Sequence, residues 1–201
     1  MELSPLAREK LARIGELTEE EKSRLKYSEQ LTSLLAEYFT NEFSPDDLWK
    51  ELKEHKDAGR VFILIDAQLK LLEAISLSGS EADFDKVRRG ILAIETLKDE
   101  GNYTTLEQDL NGIDTLRRQY RDERDRTYRS MQEKVERQVS LAAEQVARQA
   151  ATRGTVVDVQ GSVEATIKAS PEWKAFVSRH ENTYGQKLKE YLTGLKERLK
   201  A

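Results

Sequence analysis

No cysteine occurs anywhere in the chain. That excludes disulfides, thiolate metal sites and a cysteine nucleophile together, and it fits a reducing compartment, here expected to be the cytoplasm. Histidine is scarce as well: His55 and His180 are the only two. Neither stands in an E-x-x-H or H-E-x-x-H arrangement, which a carboxylate-bridged metal pair in a bundle and a zincin respectively require. No metal and no cofactor are expected. The ten glycines are scattered, with no G-x-G-x-x-G, phosphate loop or G-x-S-x-G among them. Long apolar runs are also lacking. The longest, VFILI at residues 61–65, is interrupted by Asp66, whereas a bilayer span takes about 20 apolar residues. The opening MELSPLAREK shows no basic stretch followed by an apolar one, so neither a signal peptide nor a membrane span is expected.

What the chain has in excess is charge. Charged residues make up 35% of it and apolar ones 38%, a composition suited to helices with ion-paired outer faces. The apolar residues recur at helical spacing, which argues against disorder. Residues 1–100 hold 22 acids and 15 bases, a net of −7, and residues 101–201 hold 15 acids and 18 bases, a net of +3. A dedicated nucleic-acid domain is usually far more basic.

The three prolines all follow serine, at Ser4–Pro5, Ser44–Pro45 and Ser170–Pro171. Serine caps orphan amides, and proline at the first helical position sacrifices no hydrogen bond, so each pair predicts a helix start in preference to a phosphorylation site. A short helix is expected from Pro5 to about Gly15. A capping box at Thr18–Glu21 then opens a helix to about Asn41, with Tyr27, Leu31, Leu34, Leu35 and Tyr38 as its stripe. A third helix runs from Pro45 to about Lys56, with Gly59 as its stop. The fourth, about Arg60 to Leu77, is apolar nearly all round, with Asp66, Gln68, Lys70 and Glu73 as a narrow polar edge. Such a helix belongs in the middle of a bundle. Ser80 opens a fifth, which Gly101 ends.

From Thr105 to Thr152 there is no proline, and Gly112 is the only glycine. One helix of this length would extend about 70 Å. Residues 154–162, GTVVDVQGS, read as a loop in preference to a strand, and a short helical turn follows at Val163–Lys168. The last helix starts at Pro171. Its apolar and aromatic positions include Trp173, Val177, His180, Tyr184, Leu188, Tyr191, Leu195 and Leu199, spaced mostly by three and four. That heptad-like seam calls for a partner, and Met131, Val135, Val139, Ala142 and Val146 of the long helix supply one. The fold class expected is all-α: a helical bundle over residues 1–101, then a long helix and a C-terminal helix folding back as an antiparallel coiled-coil-like hairpin over 102–201.

Residues 117–130, RRQYRDERDRTYRS, contain six arginines. Arg117, Arg121 and Arg124 share a strip with Leu110 and Ile113 before them and Met131 and Val135 after, so they replace an apolar stripe for about two turns. The plainest reading is a polar lapse in which these arginines are hydrated or ion-paired. A protein interface or an anion site are the alternatives. Asp66 is the one acid that stands beside an apolar run, and an ion pair with Lys70 one turn later explains it without catalysis. Trp49 and Trp173, each just after a helix start, read as core anchors.

The function expected is therefore a non-enzymatic scaffold, adaptor or accessory protein that works through helix–helix contacts and self-associates, with a dimer favoured. Its interface seam would comprise Trp173, Val177, His180, Tyr184, Tyr191 and Leu195. The first alternative is a nucleic-acid-associated protein using residues 117–129, a class the interspersed acids disfavour. The second is an enzyme with a site near Asp66 that no local motif announces.

Overall fold

A computed structural model describes residues 18–40, 43–149 and 159–200. Within them every regular element is an α-helix: α1 (Glu19–Phe39), α2 (Pro45–Asp57), α3 (Phe62–Glu73), α4 (Glu81–Glu95), α5 (Tyr103–Gln149), α6 (Val159–Ala169) and α7 (Pro171–Lys200). The all-α class is as expected. The helix anticipated from Pro5 to Gly15 and the stretch 154–158 lie outside the described residues.

The serine and threonine starts form as their chemistry dictates. Thr18 Oγ1 accepts the Glu21 amide at 3.2 Å while Glu21 Oε2 accepts the Thr18 amide at 2.8 Å. Ser44 and Asp47 make the same reciprocal pair at 3.2 and 3.1 Å, with Pro45 opening α2. Ser80 Oγ accepts the Asp83 amide at 3.0 Å at the start of α4. At the start of α7, Ser170 Oγ accepts the Trp173 amide at 3.1 Å and donates to the Ile167 carbonyl at 2.8 Å.

Helix ends depart from expectation more often. Gly59, at φ +75, follows α2 as anticipated. But α3 begins two residues later than expected and stops at Glu73, not Leu77, where Ala74 and Ile75 donate to the carbonyls of Leu71 and Leu72. These i→i−3 bonds tighten the last turn and let the chain leave the helix. α4 stops at Glu95, six residues before Gly101. The Thr96 hydroxyl takes the Ala93 carbonyl at 2.7 Å, a local bond that competes with helix continuation. Gly101 serves close approach: a Cβ there would lie 2.7 Å from the Glu95 carbonyl oxygen. Residues 159–162, expected in a loop, form the first turn of α6.

The chain divides into two compact units. One takes the residues up to Leu110 together with those from Gly194 onward, and the other is Asn111–Thr193. In the first, α3 packs against α1, α2 and α4. Its Leu64, Ala67, Leu71 and Leu72 are fully buried, alongside Tyr38, Leu48, Leu52, Ile91, Ile94 and Leu110. Each leucine or isoleucine among them contributes about 1.5–3 kcal/mol relative to exposure. Leu195 and Leu199 of α7 are buried in this unit too. Trp49 is half-buried, with its indole N–H on Thr96 Oγ1 at 3.0 Å, so it edges the core instead of anchoring it. Gln68 corrects the expected polar edge of α3. It is fully buried, donating to the Ile91 carbonyl at 3.1 Å and to Glu95 Oε2 at 2.8 Å.

Candidate functional site

In the second unit, α5 and α7 meet through rings and one glycine. Tyr191 lies against Gly112, Tyr184 and His180 against Tyr120, and Trp173 against Tyr128. Numbers rise along α5 as they fall along α7, so the two helices run antiparallel over these contacts. Beside Tyr128, the residues Val163, Ile167 and Trp173 form a small apolar cluster, with Met131, Val135, Phe176 and Val177 packed on it.

His180 is the best-defined polar group in this unit. Only 5% exposed, it stacks on Tyr120 at 4.7 Å and on Phe176 at 5.0 Å between ring centroids. Its Nε2 lies 2.9 Å from the Tyr120 carbonyl oxygen. A carbonyl only accepts, so Nε2 carries a proton and donates it. The other ring nitrogen faces Glu123 Oε2 at 3.7 Å, and the Tyr184 hydroxyl donates to that same oxygen at 2.8 Å. Burial, followed by the hydrogen bond to Glu123, holds the Tyr184 phenol above its usual pKa. The bond to the main chain fixes the ring's tautomer and orientation and leaves Nδ1 turned toward Glu123. The arrangement ties α7 to α5. A pocket of about 220 Å³ opens beside it, lined by Glu123, Phe176, Arg179, His180, Thr183, Tyr184 and Lys187.

The three arginines expected to act as one strip have separate environments. Arg117 is 1% exposed, among the largest fully buried side chains, while Arg121 is half-buried and Arg124 exposed. Of the two forms expected for the polar lapse, hydrated or ion-paired, burial excludes the hydrated one at Arg117. Leu116 and Tyr120 are buried on either side of it, so the inward stripe continues through the arginine. Arg118 forms an ordinary ion pair with Asp114 at 2.8 Å. Of the seam residues, Trp173, His180, Tyr184 and Leu195 are buried within the chain, Val177 is half-buried, and Tyr191 is 41% exposed.

A second polar cluster, in the first unit, was not anticipated. Glu95 is 5% exposed and accepts from the Gln68 amide, from the Asn102 backbone N–H at 2.8 Å and from Lys98 Nζ at 3.1 Å. Burial pushes the Glu95 carboxyl up, but the bonds from Gln68, Asn102 and Lys98 together hold it below the usual glutamate value. The available signal was Gln68's position, one turn from both Leu64 and Leu72. Asp66, the acid singled out from sequence, is half-buried, and Lys70 Nζ reaches Thr32 Oγ1 at 2.8 Å. His55 accepts at Nδ1 from Arg60 Nε at 3.0 Å. Desolvation and the Arg60 charge push its pKa below the ordinary histidine value. Among the described residues, no three His, Cys, Asp or Glu side chains are grouped to hold a metal ion, and no helix is long and apolar enough to cross a membrane.

No curated protein matches this chain, and no solved structure does. The chain belongs to a family of unknown function, DUF6657, whose pattern matches residues 49–200.

Proposed function

We propose that this family member is a non-enzymatic helical scaffold or adaptor that acts through helix–helix protein contacts in the cytoplasm and associates with a second copy of itself. The observation that carries the reading is the state of the apolar edge of α5 beyond Tyr128. Met131, Val135 and Val139, spaced by four, fall on one side of the helix, and each is only half-buried. An apolar row of this kind, covered only in part by its own chain, is suited to pairing with another helix, with apolar residues supplying affinity and flanking charges choosing the partner.

Sedimentation velocity over a wide concentration range tests it. A concentration-dependent dimer is expected for the native chain, and Val139→Glu should shift it toward monomer by placing a charge on the apolar row. A native chain that stays strictly monomeric at about millimolar concentration eliminates self-association, as does a dimer indifferent to Val139→Glu.

A further inference from the structure

We propose that the pocket beside His180 receives a carboxylate from an acidic segment of a partner protein, a reading that rests on the adaptor role and names the chemistry it recognises. Size is the first argument. At about 220 Å³, the pocket falls below the roughly 300–1,000 Å³ of sites that enclose a whole small molecule, and it has room for the end of one side chain.

Charge is the second. Arg179, Thr183 and Lys187 follow one another at intervals of four on α7 and line the pocket together, so a guanidinium and an ammonium flank a hydroxyl on one helical face. The single acid of the lining is Glu123, and its Oε2 already accepts from Tyr184 at 2.8 Å. Two cations against one carboxylate, one oxygen of which is already bonded, favour an anionic guest.

The third argument chooses between anions. Single-stranded nucleic acid binds basic grooves by stacking bases on open aromatic faces. Here the ring of His180 is covered by Tyr120 and Phe176, and Tyr184 leans on both His180 and Tyr120. Those faces are spent on one another. What remains available is a set of donors over a small opening, which suits a carboxylate.

Fluorescence anisotropy on the full chain tests the assignment, using a labelled peptide of six consecutive glutamates, the same peptide with six glutamines, and a labelled oligothymidine. Saturable binding of the glutamate peptide is expected, with the glutamine peptide at least about tenfold weaker, a difference of about 1.4 kcal/mol. Arg179→Gln with Lys187→Gln should weaken binding about tenfold or more, while Lys174→Gln with Lys189→Gln, an equal charge change elsewhere on α7, should leave it nearly unchanged. Thr183→Glu should also abolish it, and circular dichroism confirms that each variant folds. The assignment is overturned if no saturable binding occurs, if the two pairs of substitutions act alike, or if oligothymidine binds more tightly through the same residues. A chain that dimerises yet ignores the glutamate peptide keeps its scaffold role and loses this site.

Discussion

A buried carboxylate is tolerated only when donors replace its water, and Glu95 shows how completely one side chain can be committed. It draws on α3 through Gln68, on its own helix end through Lys98, and on the approach to α5 through the Asn102 amide. Glu95→Gln keeps the volume but puts an NH₂ among groups that already donate. The substitution should destabilise the protein by about 1–3 kcal/mol, the usual penalty for leaving a buried donor unsatisfied, measured by urea unfolding at neutral pH. The sign with pH follows from the depressed pKa in the folded chain. Stability from the carboxylate is present above the unfolded glutamate value and is lost as pH falls through the lower folded value. The gap between native and variant should therefore shrink in that acidic window. A gap that stays constant there would mean that the ionised carboxylate is not what the three donors hold. Gln68 also marks the limit of reading residues singly. Flanked by Ile65, Asp66, Leu69 and Lys70 it passes for part of a polar edge, and its burial follows from Glu95, 27 positions away.

At the scale of helices, starts were more legible than stops, and the reason is chemical. A start is marked by one hydroxyl within three residues of the amide it caps, as at Thr18, Ser44, Ser80 and Ser170, and so it is written locally. The stop of α4 combines the local Thr96 bond with the return of the chain after the turn, where the Asn102 amide reaches the Glu95 carboxylate and Gly101 packs on the Glu95 carbonyl, and no short window records the second part. The aromatic seam of α7 was legible as a row, but periodicity alone did not say which of its members would be used up against α5. Local capping gives a sharp test. Ser170→Ala removes the acceptor of the Trp173 amide and the donor to the Ile167 carbonyl. A loss of about 1 kcal/mol, within the range of 0.5–2 for such caps, is expected in thermal or urea unfolding. Because Trp173 sits immediately inside this cap and packs on Tyr128, its fluorescence should report the loosening. If Ser170→Ala leaves both stability and emission unchanged, the serine does not set the start of α7.

Taken over the whole chain, the two units have cores of different composition, and that difference bears on function. The first is filled by fully buried aliphatics such as Leu48, Leu64, Leu71 and Ile91. The second combines fewer buried aliphatics, Ile113, Leu116, Val163, Ile167 and Leu188, with rings and a histidine, and along α5 from Met131 to Ala142 no side chain is fully buried. Local opening is easiest where buried apolar contacts are few. Hydrogen exchange should therefore find the amides of residues 135–142 exchanging about a hundredfold or more faster than those at the centre of α3, since a difference of about 2.7 kcal/mol in opening free energy suffices. A helix stretch of low intrinsic stability gains most from a covering partner, because anything that binds the folded form alone raises its apparent stability by mass action. Protection at residues 135–142 should accordingly increase as the protein is concentrated into the range where dimers form, while α3 stays unchanged. Uniform protection across both regions, or an increase confined to α3, would separate the half-buried row ending at Val139 from any association.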